Sequence, residues 1–323
     1  MQNMKIAIVG LGVIGKLHYS ALRSLGENIT ALCDVDPSAM DGYDGVRKYT
    51  DYKTMLDKED IDAVHICTPH YLHADMIIEA LGRGVNVLSE KPLCIREEDI
   101  GRILEAEKNS TARLGVCFQN RYNKSYRYVK EYLKDKKVIT AFANVVWRRD
   151  KAYYGSAEWR GKWDTEGGGT LINQAIHTLD FTAWVLGMPS EVTAMTANLT
   201  LQDAIEVEDT AFAIFSGDSD FSFASTNGQN SDFAPEVLFK LEDGNVRLYG
   251  DKVFVNDTLV DFSEEQLFNT KSCYGNGHAS LFADYYDAIR CERPFDIDGE
   301  EGAKAVRLVL SIYKSQGKKI NVI

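Results

Sequence analysis

Lys5-Ile-Ala-Ile-Val9-Gly10-Leu11-Gly12-Val13-Ile14-Gly15 is the stretch whose reading decides the fold. Its first five residues read as a buried strand. Residues 13–25 then place Ile14, Leu17, Ala21, Leu22 and Leu25 on one helical face, with Gly26 as the stop. The glycines between fit G-x-G-x-x-G, a weak pattern alone and an informative one when it follows a strand, opens a helix and starts a βαβ unit. Gly10 permits a tight turn, Gly12 lets backbone approach a pyrophosphate, and Gly15 lets helix and strand pack closely. The helix N-terminus, reached through Leu11, Val13 and Ile14, offers N–H groups and a partial positive charge to the phosphates. Asp34 ends the next strand, 19 residues past Gly15. A carboxylate there accepts hydrogen bonds from the adenosine ribose hydroxyls and repels a 2′-phosphate, so NAD is favoured over NADP. A glycine-rich turn without a ligand is the alternative.

Outward from this stretch the alternation continues. Strands at Ile29–Cys33, Ala63–Cys67, Val85–Leu88 and Leu114–Phe118 are interleaved with helices, which predicts a doubly wound parallel sheet, a Rossmann domain over residues 1–122. After residue 122 a helix at 125–134 leads into strand-rich sequence: Val138–Trp147, Glu191–Leu199, Thr210–Phe215, Asp220–Thr226, Val237–Leu241, Asn245–Tyr249 and Lys252–Val255. Gly- and Asp-containing turns between them suit an antiparallel sheet. With helices at 171–187, 279–290 and about 300–315, residues 123–323 read as an α+β domain for substrate binding and oligomerisation. The fold class is therefore α/β, a Rossmann sheet followed by a large, mostly antiparallel one.

Composition narrows the partners. The formal net charge of −12 and pI near 5.1 argue against nucleic acid, whose phosphates want a basic surface. No apolar run approaches the roughly 18 residues of a membrane span, so the expected setting is cytoplasmic, without a membrane partner. The six cysteines, Cys33, Cys67, Cys94, Cys117, Cys273 and Cys291, form no CxxC pair. They read as reduced thiols, several of them in apolar strands, and no metal site is expected.

Ligands of open parallel sheets bind beyond the carboxyl ends of the strands. Two such ends are polar: Cys67-Thr68-Pro69-His70-Tyr-Leu-His73 and Ser89-Glu90-Lys91-Pro92. A lysine at that edge sits toward the nicotinamide end of a dinucleotide, or is an ordinary surface lysine. A second polar signature is Gly167-Gly168-Gly169-Thr-Leu-Ile-Asn173-Gln-Ala-Ile-His177-Thr-Leu-Asp180. Thr170 is a reasonable N-cap, and at 3.6 residues per turn Asn173, His177, Asp180 and Trp184 share a narrow arc of an otherwise apolar helix. Such a stripe needs partners, either internal hydrogen bonds or a substrate.

The set Gly10–Gly15, Thr68-Pro69, His73 and Glu90-Lys91-Pro92, together with this second signature and Gly275-Asn-Gly-His278, resembles the glucose-fructose oxidoreductase / inositol dehydrogenase (Gfo/Idh/MocA) family. The resemblance implies an NAD(P)-dependent oxidoreductase acting on CH–OH groups. Its catalytic groups would be Lys91, an ammonium stabilising developing alkoxide, and His177, a base with a pKa suited to neutral pH. Thr68, Pro69, His73, Glu90, Lys91 and Asn120 would join the glycine loop and Asp34 around the cofactor. Many members carry Asp where this chain has Asn173. An amide cannot relay a proton, so Asn173 is left to orient the substrate or His177.

Substrate clues precede the glycine-rich loop. Trp147-Arg148-Arg149-Asp-Lys-Ala-Tyr153-Tyr154 and Glu158-Trp159-Arg160-Gly-Lys-Trp163 combine aromatic faces, which pack on sugar rings, with arginines, which fork onto carboxylates or phosphates. Arg148, Tyr154, Trp159, Arg160 and Trp163 are the substrate-binding candidates, or else a sheet-packing cluster with solvated charges. His278 either lies near the substrate or caps a turn. The expected function is hydride transfer between a ring hydroxyl of a sugar, polyol or nucleotide sugar and NAD, in a homo-dimer or homo-tetramer. The alternatives are an NAD-retaining glycosidase or lyase that oxidises its sugar transiently, and a non-enzymatic NAD-binding regulator.

Overall fold

The computed structural model describes residues 4–217, 220–262 and 277–323. The chain divides into two compact units, Met1–Gln119 with Asn276–Ala303, and Asn120–Gly275 with Lys304–Ile323. The division read from the sequence at residue 122 lies close to the first crossing and does not anticipate the return of the chain to the first unit.

The first unit is built as the alternation predicts. In chain order it runs β1 (Lys5–Val9), α1 (Val13–Ser24), β2 (Asn28–Cys33), β3 (Arg47–Tyr49), α2 (Tyr52–Lys58), β4 (Ala63–Ile66), α3 (His73–Gly82), β5 (Asn86–Glu90), α4 (Glu97–Lys108) and β6 (Leu114–Cys117). The strands pair in parallel in the order β3-β2-β1-β4-β5-β6. Strand order reverses between β1 and β4, the switch point where doubly wound sheets bind nucleotides. β3 is an edge strand absent from the sequence reading, because Arg47-Lys-Tyr49 is too short and polar to carry a strand period.

The second unit opens with α5 (Lys124–Leu133), β7 (Val138–Val146), the single turn α6 (Lys151–Tyr154), a π-helical segment Thr170–Ala175 and α7 (Ile176–Leu186). Then come β8 (Glu191–Ala197), β9 (Thr210–Ser216), β10 (Phe221–Thr226), β11 (Glu236–Leu241), β12 (Asn245–Tyr249), β13 (Lys252–Val255) and β14 (Thr258–Val260). After α8 (Gly277–Arg290) and α9 (Gly299–Ser315), β15 (Ile320–Asn321) completes a nine-stranded sheet in the order β14-β13-β12-β11-β7-β10-β9-β8-β15. All its pairs are antiparallel except β7 with β10. One face is buried through Phe215, Phe221, Phe223 and Phe239, and α7 lies on β7 and β11.

α8 belongs to the first unit. The Tyr285 hydroxyl reaches the Val87 and Arg113 carbonyls at 2.7 and 3.0 Å, and Arg290 pairs with Glu27 at 2.5 Å. Among the described residues no helix is long and apolar enough to cross a membrane. Cys33, Cys67, Cys94 and Cys117 are buried, and Cys291 is exposed. Cys273 lies outside the described residues, as do Gly275 and Asn276 of the third matching stretch.

Candidate active site

The glycine loop is shaped by contacts that leave no room for side chains. Gly10 has φ +86, and a Cβ there would stand 2.6 Å from the Cys67 carbonyl oxygen. A Cβ on Gly15 would stand 1.8 Å from the Gly10 oxygen. Gly12 instead has open space where a Cβ would be, so its backbone is the surface a pyrophosphate can approach. Asp34 Oδ2 accepts the Leu11 N–H at 2.6 Å and Oδ1 accepts the Asp36 N–H at 2.9 Å. Leu11 therefore spends its N–H on fixing Asp34, and its side chain is buried, while Val13 is 78% exposed and Ile14 half-buried. An anion-binding helix start with a carboxylate pinned beside it fits NAD.

Thr68 and Pro69 follow β4 and are half-buried. His73 is fully buried, one ring nitrogen 2.7 Å from the Pro92 carbonyl oxygen and the other 2.9 Å from that of Thr68. It ties the two polar strand ends together through those carbonyls. Lys91 is half-buried at the end of β5, with its N–H on Glu90 Oε2 at 3.2 Å, and the Lys91–Pro92 peptide is cis. Glu90 is buried with His18 Nε2 3.0 Å from its Oε1. Burial acts to raise the Glu90 pKa, and its neighbours, the His18 hydrogen bond foremost, outweigh it, holding the carboxyl below the usual range.

The structure places His278 in the first unit. It is the second residue of α8, 3% exposed, with Nε2 3.9 Å from Glu90 Oε1. Burial pushes its pKa down to about 3, against the pull of Glu90, so it is a neutral core histidine of the first unit. Asn120, just past β6, points its amide at the Tyr126 hydroxyl at 3.5 Å.

In the second unit the helix predicted over 171–187 begins as a π-helical turn, and Gly169 precedes it without a side-chain cap, so Thr170 is inside the helix. What holds this start is Glu208. Its fully buried carboxyl accepts the Gly169 and Leu171 N–H groups at 2.9 Å each and the Tyr313 hydroxyl at 3.0 Å. Burial pushes its pKa up to about 7, against those three donors.

The polar stripe divides. Asp180 is 2% exposed and takes a forked pair of hydrogen bonds from Arg121, Nε to Oδ2 at 2.9 Å and Nη2 to Oδ1 at 2.6 Å. Arg121 also covers the Trp184 ring, whose backbone oxygen accepts from Lys130. That end of the stripe is structural. Asn173 and His177 stay half-buried. Asn173 Nδ2 donates to Glu166 Oε1 at 2.5 Å and lies 3.4 Å from the Tyr153 hydroxyl, which also accepts from Gln174 at 3.0 Å and from Arg160. A buried carboxylate thus stands directly behind the Asn173 amide, and Glu166 is itself fixed by the Gly161 N–H.

The substrate candidates separate in the same way. Tyr154 is 4% exposed, packs with Leu201, Ile205 and Val207, and accepts from Asn227 at 2.9 Å. It is a core residue, and its neighbour Tyr153 is the one that reaches Asn173. Arg160 lies over the Tyr153 and Trp159 rings at 4.4 and 4.7 Å, so these three form one patch. Arg148 is exposed and pairs with Asp150 at 2.9 Å. Trp163, 43% exposed, anchors its indole N–H on the Glu206 carbonyl at 3.1 Å and meets Tyr313 edge-on.

Sequence reasoning missed His18, Tyr153, Glu166 and Glu208. His18 alone carried a readable signal, since it stands four residues after Ile14 on the inward face of the first helix.

Residues 4–118 match the Gfo/Idh/MocA oxidoreductase family with its NAD-binding Rossmann fold, and residues 126–254 match the Gfo/Idh/MocA C-terminal domain. The myo-inositol 2-dehydrogenase of Thermotoga maritima is 22% identical over 334 aligned positions, covering 99% of this chain and 98% of that one. The crystal structure of the WlbA dehydrogenase from Bordetella pertussis, in complex with NADH and UDP-GlcNAcA, superposes with a TM-score of 0.88 at 29% identity, covering 100% of this chain and 99% of that one. Levoglucosan dehydrogenase in complex with NADH and levoglucosan shares the fold, with a TM-score of 0.88 at 18% identity, covering 99% of this chain and 100% of that one.

Proposed function

Because the chain belongs to the Gfo/Idh/MocA family of NAD-binding sugar and polyol dehydrogenases, we propose that this NAD-dependent oxidoreductase acts on a ring hydroxyl of a sugar, and that nucleotide sugars bearing an acidic group are the first class to test. The observation that carries this reading is the segment 147–163. In a chain of net charge −12 it holds five basic residues against two acidic ones, interleaved with Trp147, Tyr153, Trp159 and Trp163. That composition suits an anionic, ring-bearing ligand. The complex of the WlbA relative with UDP-GlcNAcA supports the same class.

Held by the glycine loop and Asp34, NAD would supply the acceptor for the hydride that leaves the alcohol carbon. His177 takes the hydroxyl proton, and the Lys91 ammonium stabilises the charge that develops on oxygen. Asn173 cannot carry a proton, and its amide, held by Glu166, orients the substrate hydroxyl or His177. The test is NADH absorbance with a panel of sugars and UDP-sugars. Lys91→Ala and His177→Ala should each lower kcat by about 10²–10⁴-fold. Full hydride-transfer activity in both variants refutes the assignment, and product formed without net NADH moves the protein to a transient-oxidation mechanism.

The sheet of the second unit supports the oligomer. Leu238, Phe142 and Ile214 lie in one cross-strand row, Phe212 and Met195 in the next, and all five are between 39% and 67% exposed on the same face. A contiguous apolar face of this kind marks a protein interface, and we assign it to a second copy of the chain. Phe212→Glu with Ile214→Lys should reduce the sedimentation mass to that of a monomer. An unchanged mass refutes the assignment.

A further inference from the structure

A chain of buried side chains in the first unit ends at the carboxylate beside Lys91. The Tyr286 hydroxyl lies 2.6 Å from His65 Nε2, His65 Nδ1 lies 2.8 Å from His18 Nδ1, and His18 Nε2 lies 3.0 Å from Glu90 Oε1. Tyr286, His65 and His18 are fully buried, and Glu90 is 6% exposed. The carboxylate end decides every proton. An ionised carboxylate only accepts, so His18 carries its proton on Nε2. Its Nδ1 then accepts from His65 Nδ1–H, and His65 Nε2 accepts from the tyrosine hydroxyl. One neutral tautomer of each histidine satisfies all three bonds. His65 is held neutral by burial, which pushes its pKa well below the usual value.

This arrangement is costly if it serves packing alone. His65 is in the middle of a central parallel strand and His18 is on the inward face of α1, positions where aliphatic residues bury without polar partners. Both oxygens of Glu90 are used, one by His18 and one by the Lys91 N–H. The groups facing Glu90 come from every element packed on it. They are His18 of α1, His65 and Cys67 at β4, His73 of α3, Cys117 of β6, His278 of α8 and Lys91 itself. Burial, with Glu90 nearby, keeps both cysteines as thiols, so Glu90 carries the negative charge of the group.

We propose that His18 and Glu90 are positioning residues for Lys91: the imidazole holds the carboxylate ionised and in place, and the carboxylate fixes the backbone and the charge of the lysine. The inference rests on the role given to Lys91 above. His18, Glu90, Cys117 and His278 also bring four metal-ligating atoms within 4.8 Å of one another. A zinc tetrahedron sets its donors roughly 3.4 Å apart. The His18–Glu90 contact of 3.0 Å is a hydrogen bond that satisfies both groups without an ion.

The experiment uses the full chain. His18→Phe removes the donor, His18→Gln keeps an N–H within reach of Glu90, and Glu90→Gln removes the charge while keeping the shape. Two readouts are taken: kcat and KM against pH, and the titration of ¹³C-dimethylated Lys91 by NMR in cofactor-free protein, assigned by its loss in Lys91→Arg. His18→Phe and Glu90→Gln should lower kcat about tenfold or more while KM for NAD changes less than about threefold, and His18→Gln should recover most of the loss. In Glu90→Gln the Lys91 resonance should titrate about one pH unit lower, moving the basic limb of kcat the same way. An unchanged Lys91 titration in Glu90→Gln overturns the proposal, and so does stoichiometric zinc in the purified protein that is lost in His18→Phe. If His18→Phe does not fold, Glu90→Gln and the NMR titration decide alone. Full turnover by Lys91→Ala refutes the proposed function instead, whatever the titration gives.

Discussion

Glu208 should make the stability of the second unit fall as pH rises. Its carboxyl is buried, and burial raises its pKa from the ordinary 4.5 to about 7 in spite of the Leu171 and Gly169 N–H groups and the Tyr313 hydroxyl. A raised folded-state pKa means that the native protein binds the proton more tightly than the unfolded chain. Its stabilising contribution is complete below 4.5 and is lost as pH rises through about 7. The difference corresponds to roughly 3 kcal/mol, about 1.4 for each pH unit between the two values. The assay is urea unfolding followed by tryptophan fluorescence at about pH 5 and about pH 8, on the wild type and Glu208→Gln. The glutamine cannot ionise, and its NH2 faces a donor that the carboxylate served, so it should cost about 1–3 kcal/mol. The wild type should lose roughly 3 kcal/mol more than the variant between the two pH values. Parallel losses within about 0.5 kcal/mol would sink the reasoning, because another group would then carry the pH dependence.

Asp34→Ala should lower kcat/KM for NAD about tenfold and narrow the preference over NADP, because it removes both the ribose acceptor and the anchor of the Leu11 N–H; initial rates with the two cofactors check this. Arg121→Met should destabilise the second unit by roughly 3–5 kcal/mol, since Asp180 would be left as a buried charge without its forked partner. Urea unfolding measures that loss, and Arg121→Met with Asp180→Leu should recover a large part of it.

The glycine loop and its acidic partner were legible before the structure because their signals are local. The turn at Gly10, the helix start at Val13 and the strand end at Asp34 follow from spacing within 30 residues, and the strand–helix alternation around them predicts the parallel sheet. The candidates of the second unit were legible only as a region. Tyr153 and Tyr154 are adjacent and chemically identical, yet one reaches Asn173 and the other fills the core. No period distinguishes them on a single helical turn. Asn173, His177, Asp180 and Trp184 share a helical face by spacing, and only the arrival of Arg121 from 59 residues away makes Asp180 structural.

The sequence by itself determined the Rossmann unit, the preference for NAD and the two signatures around Lys91 and His177. Tertiary structure decided which polar groups are already satisfied: Asp180 by Arg121, His73 by two carbonyls, Glu208 by the glycine-rich turn, and Glu90 by His18 with α8 returning above it. The reason is physical. Periodicity reports which face of an element is wet or dry, whereas the partner of a buried polar group comes from wherever the fold brings a donor, at a sequence distance that no local pattern records.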